Sequence, residues 1–403
     1  MSRSTKSILG VFLAIGVSAQ KSTAVSIDTV AVGAPGNDPD TRYAMPGFGA
    51  VGYSFEMGKF EITAGQYTEF LNAVARTDTY GLYTWYMGDP SPPHLGVNIQ
   101  RHGLSGSYIY SVAPDWTNRP VNYVSWGDAA RLCNWMTNGQ PSGGQDLATT
   151  EDGSYYLNGA IQGGLISVTR KPTARYVIPT EDEWYKAAYF DPNRPGGPGY
   201  YDYPTGTDGT PSNTLSHPDA GNNANFYDGS FTVGSPYFRT EVGAFENSES
   251  PFGTFDQGGN VWEWNEAVID GYRGVRGGSF NWGGDSLNAA SRSSQVPGDS
   301  DFSLGFRVAE VPEPATLSTL FFAGALIVGR RRWQGEICAL AKRPATSAIV
   351  GPFGHRFPAD PLTIFRRLIG RSPQATLPAG RWGHWWEREL ASVRCRSITR
   401  HRR

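Results

Sequence analysis

Cysteine is almost missing from this chain. Three occur in 403 residues, and Cys133 is the one among residues 1–333; the next is Cys338, followed by Cys395. One thiol cannot close an internal disulfide, so no cysteine framework holds this part together. Cys133 reads as a small core residue. Charge is also sparse: Asp, Glu, Lys and Arg make up 18% of the sequence, which excludes a coiled coil and a chain kept open by charge. Histidine is scarce, with His94, His102 and His217 in the central part and none in an HExxH spacing. A GxSxG elbow and a phosphate-binding P-loop are likewise missing. No internal repeat of fixed period is present.

What is there is glycine, proline and aromatic residues. The 50 Gly and 28 Pro form about a fifth of the sequence, and glycine is nearly double its usual share of roughly 7%. Aromatics at 13%, with 12 Trp, supply large apolar groups for a core. The length allows one large domain or two ordinary ones. These properties predict short elements, much loop and many aromatic anchors.

The net charge of -2 hides an asymmetry. Residues 334–403 hold 13 Lys+Arg against 4 Asp+Glu, whereas residues 1–333 hold 22 against 33. The acidic part argues against nucleic acid as the partner. Both flanks carry targeting signals. Arg3 and Lys6, the apolar run Ile8 to Val17, and the small residues Val17-Ser18-Ala19 form a secretory signal peptide over residues 1–19. A second apolar run, Ala315 to Gly329, follows Val311-Pro312-Glu313-Pro314 and precedes Arg330-Arg331-Arg332. It is short for a span of about 20 residues, and its arginines agree with the positive-inside rule. Over 311–332 this order resembles the PEP-CTERM sorting signal of Gram-negative bacteria. That resemblance implies export to the periplasm, cell envelope or exterior, transient inner-membrane anchoring, and processing by exosortase-type machinery. Such signals normally end a chain, so the basic tail 333–403 is a departure. It reads as a disordered extension, and its charge leaves contact with nucleic acid or anionic lipid open.

Residues 20–52 read as an extended lead-in and 53–310 as the working domain. Tyr67, Phe70, Leu71 and Val74 share one helical face, with Thr63 as N-cap. Ser125 caps a second helix with Ala129, Leu132, Cys133 and Met136 on one face. Thr180 and Glu183 form a capping box for a third, with Trp184, Ala187 and Ala188 inward. The long polar stretches 138–165 and 191–223 are loops of the kind that carry function or hold ions.

Five blocks follow in order: Met57-Gly58-Lys59-Phe60-Glu61-Ile62-Thr63; Arg119-Pro120-Val121-Asn122-Tyr123-Val124-Ser125-Trp126; Tyr176-Val177-Ile178-Pro179-Thr180-Glu181-Asp182-Glu183-Trp184; Gly258-Gly259-Asn260-Val261-Trp262-Glu263-Trp264; and Val275-Arg276-Gly277-Gly278-Ser279-Phe280, closed by Gly305-Phe306-Arg307. In this order they resemble the formylglycine-generating enzyme family, also called the sulfatase-modifying factor domain. The resemblance implies an α+β fold of C-type-lectin-like type, a single large domain with little regular secondary structure, stabilised by calcium. Trp126, Trp135, Trp184, Trp262 and Trp264 are then core residues.

The same resemblance carries over two calcium sites in part. Asn225 and Phe226 align with half of the first; Asp256, Gly259, Val261 and Glu263 align with the second. Such oxygen donors suit calcium; the alternative for Asp256 and Glu263 is a solvated or ion-paired carboxylate. Enzymes of the family oxidise a sulfatase cysteine to formylglycine with copper, held by two cysteines whose corresponding positions here are near Trp282 and Leu287. Without those thiolates the resemblance does not extend to copper. Two readings stay open. One is a non-catalytic, calcium-stabilised module binding a peptide, glycan or envelope polymer, with Ser279, Trp282, Asp285 and Arg292 as groove candidates. The alternative is a formylglycine-generating oxidoreductase, or another enzyme, using the same cleft.

Overall fold

The computed structural model describes residues 24–312. The chain divides into the units Met1–Thr319 and Leu320–Arg403, and the described residues all belong to the first. The signal peptide at 1–19, the apolar run of the sorting signal and the tail 333–403 lie outside them.

The elements are few and short. In chain order they are β1 (Thr29–Val32), β2 (Phe55–Gly58), α1 (Ala64–Val74), β3 (Ile99–His102), β4 (Ile109–Val112), α2 (Trp126–Thr137), β5 (Tyr176–Val177), α3 (Glu181–Tyr189), β6 (Phe190–Asp191), β7 (Gly199–Tyr200), β8 (Trp262–Ile269), β9 (Tyr272–Arg276), β10 (Ser293–Gln295), β11 (Leu304–Gly305) and β12 (Ala309–Glu310). One antiparallel sheet has the order β1-β2-β12-β5; a second, β10-β9-β8-β11, is antiparallel except for the parallel β8–β11 pair. Two hairpins, β3-β4 and β6-β7, complete an α+β domain of mixed sheets and few helices. No described helix is long and apolar enough to cross a membrane.

All three helices start where their caps predict. Thr63, Ser125 and Thr180 each accept the N–H three residues on, and each box is closed reciprocally by Gln66, Asp128 and Glu183. This satisfies amide groups that the first turn would leave unpaired. The predicted faces are buried: Tyr67, Phe70, Leu71 and Val74 on α1, Ala129, Leu132, Cys133 and Met136 on α2, Trp184, Ala187 and Ala188 on α3. Phe70 meets Trp135 across the α1–α2 contact at 5.2 Å between ring centroids.

The lead-in assigned to 20–52 is not a separate segment. Thr29–Val32 pairs antiparallel with Phe55–Gly58, and β12 joins the other edge of β2. The two ends of the domain are therefore neighbours in one sheet, which closes the unit.

Lys186, on α3, is fully buried with no carboxylate partner among the described residues; its Nζ donates to the Ala34 carbonyl at 2.8 Å. Burial pushes its ammonium down to about 8, below the roughly 10.4 of an unfolded chain. The unfolded state thus binds more protons between those values, and stability rises as pH climbs through that window. Replacing Lys186→Met is expected to raise the melting temperature at pH 7 by at least about 2 °C, with the gain shrinking by pH 10. A lower melting temperature at pH 7 would show that the bond to Ala34 outweighs the buried charge.

Candidate functional site

The sequence blocks converge on Glu263, at the start of β8. Its carboxylate is fully buried and accepts from Arg307 Nε (2.6 Å) and Nη2 (2.6 Å) and from Trp184 Nε1 (2.7 Å). Arg307 also donates to the carbonyls of Gly58 and Phe255, each at 2.9 Å. Four of the blocks are thus tied to one ion pair. Two close backbone approaches make glycine obligatory nearby. A Cβ at Gly259 (φ +91°) would lie 2.2 Å from the Asn225 carbonyl, and one at Gly277 (φ +98°) would lie 2.6 Å from the Gln257 carbonyl.

Glu61 is 1% exposed, and neither carboxylate oxygen has a hydrogen-bond partner. Burial, followed by the charges of Asp256 and Glu263, pushes its carboxyl well above the usual range. Asp256, at φ +58°, accepts the Gly243 N–H at 2.6 Å, and burial raises it to about 6. Three interacting carboxyl groups thus share one guanidinium. An orphaned buried carboxylate beside Asp256 is what a hard divalent cation would satisfy. Glu61 joins Asp256 there as a hard-oxygen donor of the type the second predicted calcium site calls for. Glu263 gives its oxygens to Arg307 and Trp184. No group of three or more His, Cys, Asp or Glu that could hold a metal ion occurs among the described residues, so backbone carbonyls would have to share the coordination.

The first predicted site is different in charge. Asn225 Oδ1 is buried without a partner, while its Nδ2 donates to the Phe238 carbonyl (3.1 Å) and Asn260 Oδ1 (2.8 Å). The Phe226 carbonyl accepts from Asn213 Nδ2 at 3.2 Å. None of these contacts involves a carboxylate, and calcium affinity depends on ligand charge. The donors around Asn225 and Phe226 therefore fit the ion less well than those around Asp256.

A cleft lies against the second sheet, with lining residues from β8, β9, β10 and β11. Trp282, 53% exposed, stands edge-on to Trp262 with centroids 5.9 Å apart. Together with Ser293, Gln295, Asp301 and Ser303 they line a cavity of about 70 Å³. Gln295 and Asp301 also border a wider hollow of about 360 Å³ with Asp299 and Ser300.

Of the four groove candidates, Trp282 lines this cleft. Ser279 is fully buried behind it and donates to Asn281 Oδ1 at 2.8 Å. Asp285 is exposed on the short 3-10 turn Gly284–Leu287. Arg292 turns away to Glu181, which it meets at 2.7 and 2.5 Å beside Arg276. Leu287 is fully buried against Tyr203, Ala224 and Phe226. The described cysteine, Cys133, is buried in α2, and burial pushes its thiol well above the ordinary range. Neither Trp282 nor Leu287 can supply a thiolate, so the residues present do not fit copper.

Sequence reasoning missed the unpartnered state of Glu61, Arg307 as the partner of Glu263, and the exposure of Trp85. Each lay in plain sight as a residue type, but nothing local marks an acidic side chain as unpartnered or an indole as exposed.

The sulfatase-modifying factor enzyme 1-like domain family matches residues 29–311. Similar solved structures include Treponema denticola variable protein 1, 18% identical over 72% of this chain and 98% of that one, with a TM-score of 0.43. CarF is 22% identical over 72% of this chain and 100% of its own, with a TM-score of 0.43. PvdO from Pseudomonas aeruginosa is 17% identical over 71% and 92%, with a TM-score of 0.38. No curated protein matches the sequence.

Proposed function

The chain belongs to the sulfatase-modifying factor enzyme 1-like domain family, and we propose that it serves there as a non-catalytic, calcium-stabilised binding module. The observation that carries this reading is the missing thiolate pair: Trp282 and Leu287 stand near where the family's copper-binding cysteines are expected, and no cysteine lies between Cys133 and Cys338. An indole exposed in a cleft suits contact with a ligand. Calcium belongs to the Glu61–Asp256 site, where a buried carboxylate lacks a partner. The short strands, few helices and long loops suit a C-type-lectin-like scaffold. The protein is exported through its signal peptide and sorted at the envelope by the 311–332 signal, both of which rest on sequence pattern.

The reading is tested by co-expressing the full chain with a Cys-x-Pro-x-Arg peptide, adding copper, and examining the peptide by mass spectrometry. No conversion of cysteine to aldehyde above the no-protein control is expected. Conversion would overturn the non-catalytic assignment in favour of the oxidoreductase.

A further inference from the structure

Two of the described tryptophans stand out by exposure. Trp126, Trp135, Trp184 and Trp264 are buried and spend their indole N–H groups on the Asn265 carbonyl, the Pro141 carbonyl, Glu263 and the Val124 carbonyl. Trp85 and Trp282 are 54% and 53% exposed, and among the described residues neither indole N–H has a partner. A half-exposed indole set among other aromatic rings is the kind of apolar patch that serves as a contact surface.

Both rings are held in place. Trp85 packs on Tyr86 at 4.1 Å and meets His94 edge-on at 4.7 Å. Tyr86 stacks on Tyr123 at 5.3 Å with 15° between the planes, and Tyr123 Oη donates to the His94 carbonyl at 2.5 Å. His94 Nδ1 lies 2.8 Å from Asp89 Oδ2. Hydrogen bonds from Ser91 and His94 hold the Asp89 carboxyl down at about 2, so it accepts and the ring nitrogen donates. On the other side, the Trp282 carbonyl accepts the Tyr227 N–H at 2.9 Å and its ring rests on Trp262.

A backbone contact links the two clusters. The Tyr123 N–H donates to the Asp301 carbonyl at 2.9 Å, and Asp301 lines the cleft of Trp282. Tyr123 therefore joins the Trp85 cluster to that cleft. The cleft lining offers Ser293, Gln295, Asp299, Ser300, Asp301 and Ser303, with no lysine or arginine. Carboxylates without a cation repel phosphate, sulfate and nucleic acid, as does the acidic balance of residues 1–333. Hydroxyl-bearing rings with an apolar C–H face match both the indoles and the carboxylate, amide and hydroxyl groups between them.

We propose that the two clusters together bind a neutral oligosaccharide of several rings, one ring stacked on Trp282 and another on Trp85. The proposal rests on the binding-module reading and adds to it the ligand class and the second stacking position.

The full chain is titrated with cellohexaose, mannohexaose and the N-acetylglucosamine hexamer, each beside its monosaccharide, and with an arginine-rich decapeptide, following tryptophan fluorescence and heat. At least one hexasaccharide is expected to bind tenfold or more tighter than its monosaccharide, since two stacking positions act together. W282A and W85A are each expected to weaken it about tenfold, with melting temperatures unchanged because both side chains are exposed. If no hexasaccharide binds, or the decapeptide alone binds, the sugar assignment is overturned while a binding module survives. If W282A abolishes binding and W85A leaves it unchanged, the second position is overturned alone. If W282A has no effect, the groove reading itself falls.

Discussion

Excess EGTA is expected to lower the melting temperature of the purified protein by about 5 °C. An ion present at 100 times its Kd stabilises by about 2.7 kcal/mol, and 1 kcal/mol corresponds to roughly 2 °C in a domain of this size. The physical reason is the fully buried Glu61, whose carboxylate oxygens touch no donor, beside Asp256 and the Arg307-paired Glu263. Without a cation, one guanidinium faces three carboxyl groups. Glu61→Gln sharpens the test because its sign depends on the ion. In calcium the variant is expected to melt below the unchanged protein, having lost a charged ligand. In EGTA it is expected to melt above it, since an amide replaces a buried carboxyl that has no counter-charge. Identical melting curves with and without chelator would rule out an ion at this site.

Arg307→Met is expected to cost about 3–5 kcal/mol, the penalty for leaving a buried charge without its partner. Arg307 and Glu263 are both fully buried, and the guanidinium also anchors the Gly58 and Phe255 carbonyls. The melting temperature is then expected to fall by about 6–10 °C. Adding Glu263→Leu to Arg307→Met is expected to recover part of the loss, because the stranded carboxylate is removed with its partner. A loss under about 1 kcal/mol in the single variant would mean that the pair holds the blocks together only weakly.

Some of this was readable locally. The boxes at Thr63, Ser125 and Thr180 act within three residues, and the buried faces of α1, α2 and α3 repeat at helical spacing, so neighbours along the chain suffice to place them. The five tryptophans assigned to the core are buried, between 0% and 8% exposed, because their blocks are the packing blocks. The strand Thr29–Val32 was not readable. Four residues in a Gly/Pro-rich stretch carry too little pattern, and their partner lies beyond a long loop, at Phe55–Gly58. Arg292, a groove candidate from sequence, is held instead by an ion pair with Glu181, a partner far off along the chain.

By itself the sequence determined the family blocks, the helix starts and the lack of a thiolate pair, since residue types and short spacings are local facts. Only the tertiary structure decided which carboxylate is left without a partner and which indoles meet solvent. In a domain with this much loop, partners come from distant segments, and burial and pairing are properties of their meeting in space. Glu61 and Trp85 are ordinary residues until Asp256, Glu263 and Tyr123 are set beside them.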